Sequence, residues 1–236
     1  MKTYVFLADG FEPLEVFAPV DVLKRCGAEV IMVSTGKDLF VASSGSQKNI
    51  IKADVMLSDI DYKAADLVIV PGGYPGYINL RENKEVVDIV KYFLDNDKYV
   101  ASICGGPTIF SYNNLANGAK LTGHSAVKEE LSKNHIYVDV PTHVDGKIIT
   151  GVGAGQAINF AFKIAEQFFD KEKIEEVKKG KAMRLPQWSK DVMIKAQFPD
   201  ENSKMTAPYL YVESRYGRVP WKETVIELFS EEWEVV

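Results

Sequence analysis

Over the first 170 residues, short continuous apolar runs alternate with stretches whose apolar residues recur at helical spacing. Tyr4–Ala8, Val30–Ser34, Leu67–Val70 and Tyr99–Ile103 are runs of the first kind. Three of them stop at turn-forming sequence: Asp9-Gly10, Pro71-Gly72-Gly73 and Cys104-Gly105-Gly106-Pro107. Ile136–Val140 and Lys147–Thr150 also read as strands. Between them, Leu14, Phe17, Ala18, Val22 and Leu23 predict a helix over Leu14–Arg25 that ends at Gly27. Val86, Val87, Ile89, Val90, Phe93 and Leu94 predict another, and Ala157–Phe169 a third. Continuous apolar strands separated by amphipathic helices predict an α/β fold, with a mostly parallel sheet covered on both faces. Ligands of such sheets collect beyond the carboxyl ends of the strands, which places the chemistry just after Ala8, Val70 and Ile103.

From Asp170 the pattern changes. A charged, helix-like stretch over Lys171–Lys181 gives way to aromatic-rich sequence punctuated by Pro186, Pro199, Pro208 and Pro220. Its 12 Lys/Arg against 13 Asp/Glu leave the charge balanced. Trp188, Phe198, Tyr209, Tyr211, Tyr216, Trp221, Phe229 and Trp233 are too many aromatics for a disordered tail. The expected division is therefore an α/β domain over 1–170 and an extension over 171–236 that packs on the domain or on a dimer partner. Tyr209–Val212 and Thr224–Phe229 are its expected anchors.

Composition narrows the partners. A net charge of −5 gives no electrostatic reason to bind nucleic acid or an anionic membrane. The early apolar run ends at Ala8, too short for a signal peptide's core, and no later run reaches the length of a membrane helix. Two cysteines, Cys26 and Cys104, imply no disulfide framework, and a reducing, cytoplasmic setting follows. The three histidines and two cysteines have no metal-type spacing, so neither metal nor cofactor is expected.

Cys104 is the leading candidate for chemistry. It ends an apolar strand and opens a predicted helix, and Gly105 and Gly106 relieve crowding in the sharp turn, as in a nucleophile elbow. A helix N-terminus there is expected to stabilise the thiolate. An inert buried cysteine is the competing reading. Gly73, after a neighbouring strand, and Gly105 could supply oxyanion-binding amides. Glu15 lies in the first turn of the first helix, where a carboxylate also suits the helix dipole. On the same side of the sheet as Cys104, it could shuttle protons. His124 falls in a loop at the sheet's ligand edge, before a helix that Ser125 could cap. His135 and His143 read as surface positions, and His143 with Asp145 forms a His-x-Asp pair that could orient a base.

With these residues in place, the sequence resembles the ThiJ/PfpI superfamily, which includes the Parkinson's-associated deglycase group. The matching stretches are Phe11–Glu15, Pro19–Arg25, Asp66–Gly76, Ala101–Thr108, Leu121–His124 and Gly151–Gly155. The resemblance implies a flavodoxin-like fold, a reactive Cys104, an acidic partner in Glu15 and a nearby His124. It further implies oxyanion amides from Gly73 and Gly105, and a homodimer. Protease-like members carry a histidine directly after the cysteine. Gly105 stands there in this chain, which favours the deglycase and glyoxalase III group, acting on methylglyoxal or related aldehydes without glutathione or metal. Two other readings stay open: a redox-sensing or chaperone-like stress protein with an oxidisable Cys104, and a cysteine amidase using His143 and Asp145.

Overall fold

The computed structural model describes residues 1–46, 48–178, 183–184, 186–197, 209–220 and 234–235. The chain divides into two units, Met1–Lys171 and Glu172–Val236.

The first unit is built on a seven-stranded sheet. Its strands are β1 (Lys2–Leu7), β2 (Glu29–Ser34), β3 (Val55–Met56), β4 (Leu67–Val70), β5 (Tyr99–Ile103), β6 (Thr142–Asp145) and β7 (Ile148–Gly151). They lie in the order β6-β7-β5-β4-β1-β2-β3, parallel throughout except for β6, which runs antiparallel along β7. Every residue of β4 and β7 is buried, as is nearly all of β1 and β5. That burial on both faces is why these strands read as unbroken apolar runs. Side chains on alternate faces enter different layers. Tyr4, Phe6, Val68, Val70 and Val100 join a core with Val86, Ile89, Val90 and Phe93 of α3 (Lys84–Asp95). The opposite face is covered by α1 (Pro13–Arg25) and α5 (Ala157–Ala165), which pack on each other. On the α3 side lie α2 (Gly76–Glu82) and the five-residue α4 (Thr108–Tyr112), whose Leu80, Ile109 and Phe110 join the same core.

Three local expectations need correcting. The edge strand β6 was not foreseen, because its half-buried Thr-His-Val-Asp has no apolar run. A short hairpin, Phe40–Ala42 with Ile50–Lys52, also escaped the pattern, since only Val41 of its six residues is buried. The strand expected at Ile136–Val140 shrinks to Ile136–Tyr137, paired with Lys120–Leu121.

In the second unit, a helix α6 (Lys171–Lys178) enters an antiparallel sheet of β8 (Met183–Arg184), β9 (Met193–Gln197), β10 (Tyr209–Ser214), β11 (Gly217–Pro220) and β12 (Glu234–Val235), in the order β11-β10-β9-β8-β12. Tyr211 and Ile194 are buried, Trp188 is half-buried and Tyr216 is exposed. The expected anchor at Tyr209–Val212 is thus a strand. Thr224–Phe229, Phe198, Trp221 and Trp233 lie outside the described residues. Among the described residues, no helix is long and apolar enough to cross a membrane.

Candidate active site

A cavity of about 410 Å³ opens at the carboxyl edge of the main sheet, beyond β4 and β5. Cys104, Glu15, His124 and Gly73 line it, together with Glu12 and the segment from Val152 to Gln156.

Cys104 is placed there by a strained turn. Directly after β5 its backbone adopts φ 64°, a left-handed conformation that costs a residue with a Cβ about 1–3 kcal/mol. Hydrogen bonds on either side hold that geometry. The Cys104 N–H donates to the Gly151 carbonyl at 2.9 Å, and the Cys104 carbonyl accepts from the His124 N–H at 2.9 Å. Gly105 is pressed on the Tyr77 ring, where a Cβ would fall 2.7 Å from a ring carbon. The N–H groups of Gly105 and Gly73 are both directed at the Cys104 sulfur. The helix expected to open at this position does not. It begins only at Thr108, after a turn, and has five residues. Its dipole is too small and too distant to set the thiol's protonation.

Glu15 comes from α1, whose start is shaped by Pro13 in its first turn and by Glu12 at its N-cap. The helix turns the Glu15 carboxyl inward, where it is fully buried. Oε2 accepts from the Gly72 N–H at 2.9 Å. Oε1 is buried without a hydrogen-bond partner, although the Ala154 N–H lies close enough to favour its charged form. The carboxyl and the Cys104 thiol lie side by side and each shifts the other's proton affinity.

Burial dominates the electrostatics of the pair. It pushes the Glu15 carboxyl up to about 7, against the opposing pull of the Cys104 thiol and the Gly72 N–H. Burial, and then the charge of Glu15, push the Cys104 thiol up to about 12, while the Gly105 and Gly73 amides pull it down. The expectation of a helix-stabilised thiolate is therefore corrected. At neutral pH the thiol keeps its proton, and the carboxyl beside it stands near the middle of its own titration.

His124 borders the same space. A Cβ placed on Gly153 would lie 3.7 Å from His124 Cδ2 and 4.0 Å from Cys104 Sγ. The ring also caps the turn at Ser125–Val127, its Nδ1 accepting from the Ala126 N–H at 3.2 Å. This cap was expected from Ser125. The acceptor role leaves the ring proton on Nε2, free to serve as a donor.

The other candidates go elsewhere. His135 is buried rather than on the surface, with Nε2 bonded to the Leu115 carbonyl at 2.9 Å. His143 pairs with Thr150, which in turn pairs with Ser102, so it stands two strands and about 10 Å from β5. Asp145 is opposite Ile148 and Val100, towards the far end of the sheet, where it accepts from the Lys120 N–H. The His-x-Asp pair is not brought to Cys104. Cys26 is buried at the end of α1 and forms no disulfide.

Sequence reasoning missed Glu12 as a cavity residue. Its Oε2 accepts from Ser44 Oγ at 3.1 Å, a contact across 32 residues that no local pattern signals. Among the described residues, no group of three or more His, Cys, Asp or Glu could hold a metal ion.

Comparison with known proteins gives the same region a family. The DJ-1/PfpI family matches residues 1–167, and a Thoeris anti-defense 2-like domain matches residues 171–236. Protein dj-1beta of Drosophila melanogaster is 36% identical over 177 residues, covering 75% of this chain and 94% of that protein. The glutathione-independent glyoxalase DJ-1 of Schizosaccharomyces pombe is 30% identical over 190 residues, covering 78% of this chain and 99% of that protein. The crystal structure of Drosophila melanogaster DJ-1beta superposes with a TM-score of 0.71 at 34% identity, over 76% of this chain and 96% of that one.

Proposed function

The chain belongs to the DJ-1/PfpI family, and on that premise we propose that it is a glutathione-independent glyoxalase, converting methylglyoxal or a related 2-oxoaldehyde to a 2-hydroxy acid. Relatives named as glutathione-independent glyoxalases, at 30% and 31% identity, support the reading. The observation that carries it is the adjacent, electrostatically coupled Glu15–Cys104 pair at the cavity, with a carboxyl whose pKa of about 7 suits a base that must also give its proton back.

The thiol arrives protonated, so Glu15 acts first as general base. It takes the thiol proton as sulfur adds to the aldehyde carbon and passes that proton to the carbonyl oxygen, which gives the hemithioacetal and frees the carboxylate to act again. The Gly73 and Gly105 amides, with His124 Nε2–H, supply the donors that steady charge on sulfur and oxygen during addition. Glu15 then moves a proton from the former aldehyde carbon to the adjacent carbonyl carbon through an enediol, while the hemithioacetal hydroxyl proton passes to the neighbouring oxygen, leaving a 2-hydroxy thioester on Cys104. Water cleaves that ester, releasing the hydroxy acid and returning the thiol. The sequence adds one water overall and needs no oxidant. A small aldehyde offers little to grip, so positioning and charge stabilisation must supply most of the rate.

A peroxide-sensing role needs an accessible thiolate, and burial beside an ionised Glu15 works against one. An amidase built on His143 and Asp145 lacks its base at the nucleophile. The proposed enzyme works in a reducing, cytoplasmic setting that keeps both thiols reduced. We also propose a homodimer, supported by exposed Leu14 and Phe17 on α1 and exposed Ile158 on the adjoining α5.

The test is to follow methylglyoxal by NMR with wild type, Cys104→Ser and Glu15→Gln. Lactate formation by wild type that is lost in both variants is the expected result. Absence of turnover across a panel of 2-oxoaldehydes, with peroxide oxidising Cys104 selectively, would overturn the reading.

A further inference from the structure

On the reading of this cavity as a carbonyl site, we propose that Glu12 makes it a charge filter: it admits neutral carbonyl compounds and turns away those that carry a carboxylate. Glu12 lines the cavity from the N-cap of α1, half-buried, with Oε2 held by Ser44 Oγ at 3.1 Å. The bond fixes the carboxylate in place instead of letting it swing into solvent. Its charge is felt across the cavity, since it disfavours ionisation of Glu15.

No cation among the described lining residues offsets that charge: none of them is Lys or Arg. The Gly72 N–H is committed to Glu15, and the Gly73 and Gly105 amides act on the Cys104 sulfur. The donors left at the rim are uncharged: the Gln156 side-chain amide, whose Oε1 accepts from Asn159, the backbone N–H groups of Gly153 and Gly155, and His124 Nε2, whose ring is neutral while Nδ1 accepts from Ala126. An incoming carboxylate therefore meets one or two negative charges in a partly desolvated space, without a cation to receive it. Like charges placed this way work by repulsion, which is how a site gains selectivity without added contacts. The substrate class that fits is a small uncharged aldehyde or ketoaldehyde, or one with an amino group near the carbonyl. Oxoacids are excluded.

Iodoacetamide and iodoacetate test this directly, because they alkylate the same sulfur and differ in charge. Their rates on Cys104 are measured by peptide mapping of the full-length protein and divided by the same rates on a free thiol. Any change in thiol protonation cancels in the ratio. Wild type should prefer iodoacetamide over iodoacetate by about tenfold beyond the free thiol at low salt, and the preference should shrink as salt screens the field. Glu12→Gln should cut the preference several-fold, while Glu12→Asp, which keeps the charge, should retain most of it. A wild-type ratio equal to that of the free thiol, or a preference unchanged in Glu12→Gln, overturns the proposal; the wild-type arm needs no variant to fold. Methylglyoxal turnover separates the two ideas. Charge discrimination without turnover leaves the filter standing and removes the glyoxalase reading, whereas turnover without discrimination does the reverse.

Discussion

The Glu15 carboxyl and the Cys104 thiol lie side by side, and the backbone of Gly72 is pressed against both. A Cβ on Gly72 would fall 2.6 Å from Cys104 Cβ and 2.6 Å from Glu15 Oε2. The two groups therefore titrate together, each altering the other's proton affinity.

The reactivity of Cys104 follows from the sign of that coupling. Ionised Glu15 raises the thiol's pKa, so Glu15→Gln, which removes the charge and keeps a donor, should move the midpoint of iodoacetamide labelling to lower pH. The labelling rate against pH decides it. A shift to higher pH would mean that a protonated Glu15 had been donating to a thiolate. Cys104 should still label before Cys26, through access to the cavity, as Cys26 is only 5% exposed.

Stability should depend on pH through the same carboxyl. Burial raises the folded-state pKa of Glu15 to about 7 from 4.5, so protonation favours the fold. That contribution is whole below pH 4.5 and is lost as pH rises through 7. Across pH 5 to 8.5, wild type should lose about 3 kcal/mol relative to Glu15→Gln, which does not titrate. Paired melting curves at the two pH values measure it; a constant gap between the proteins would refute it.

Close packing at Gly72 gives a third expectation. Gly72→Ala should cost about 1–3 kcal/mol by overpacking and should also disturb Cys104 labelling, because the new methyl displaces either the sulfur-bearing carbon or the carboxylate. Gly36→Ala, where a Cβ would meet only Ser34 Oγ at an ordinary 3.6 Å, is the matched control and should leave stability nearly unchanged. Equal melting temperatures for the two variants would show that the pair tolerates movement.

Much of this was legible in the sequence because parallel strands buried on both faces announce themselves. Leu67–Val70 and Tyr99–Ile103 could be placed side by side, and with them the turns carrying Gly73 and Cys104. What was not legible depends on contacts distant in the chain. The direction of the thiol's shift is set by burial and by a carboxyl 89 positions earlier, against a helix effect that a local reading overweights. His135 looked like a surface residue because nothing nearby indicates that Leu115 receives its ring. His124 displaced Ser125 as the cap because an imidazole nitrogen reached the free N–H first. Glu12 sat in plain view within Phe11–Glu15, yet only the fold sets Ser44 beside it.

The last prediction concerns where the site ends. Every described residue that lines the cavity lies between Glu12 and Gln156, inside the unit Met1–Lys171. The DJ-1/PfpI match stops at residue 167, and 177 matched residues already span 94% of the fly relative. A chain that ends where this unit ends has a protein of comparable extent as its precedent. Truncation after Lys171 is therefore expected to give a folded protein in which Cys104 labels with the full-length pH profile and the same response to Glu15→Gln. The second unit has its own sheet, and neither member of the catalytic pair lies in it. Labelling curves and melting temperatures of the two chains make the comparison. A truncated protein that folds, yet shows a displaced Cys104 profile, would mean that residues beyond 171 tune the site.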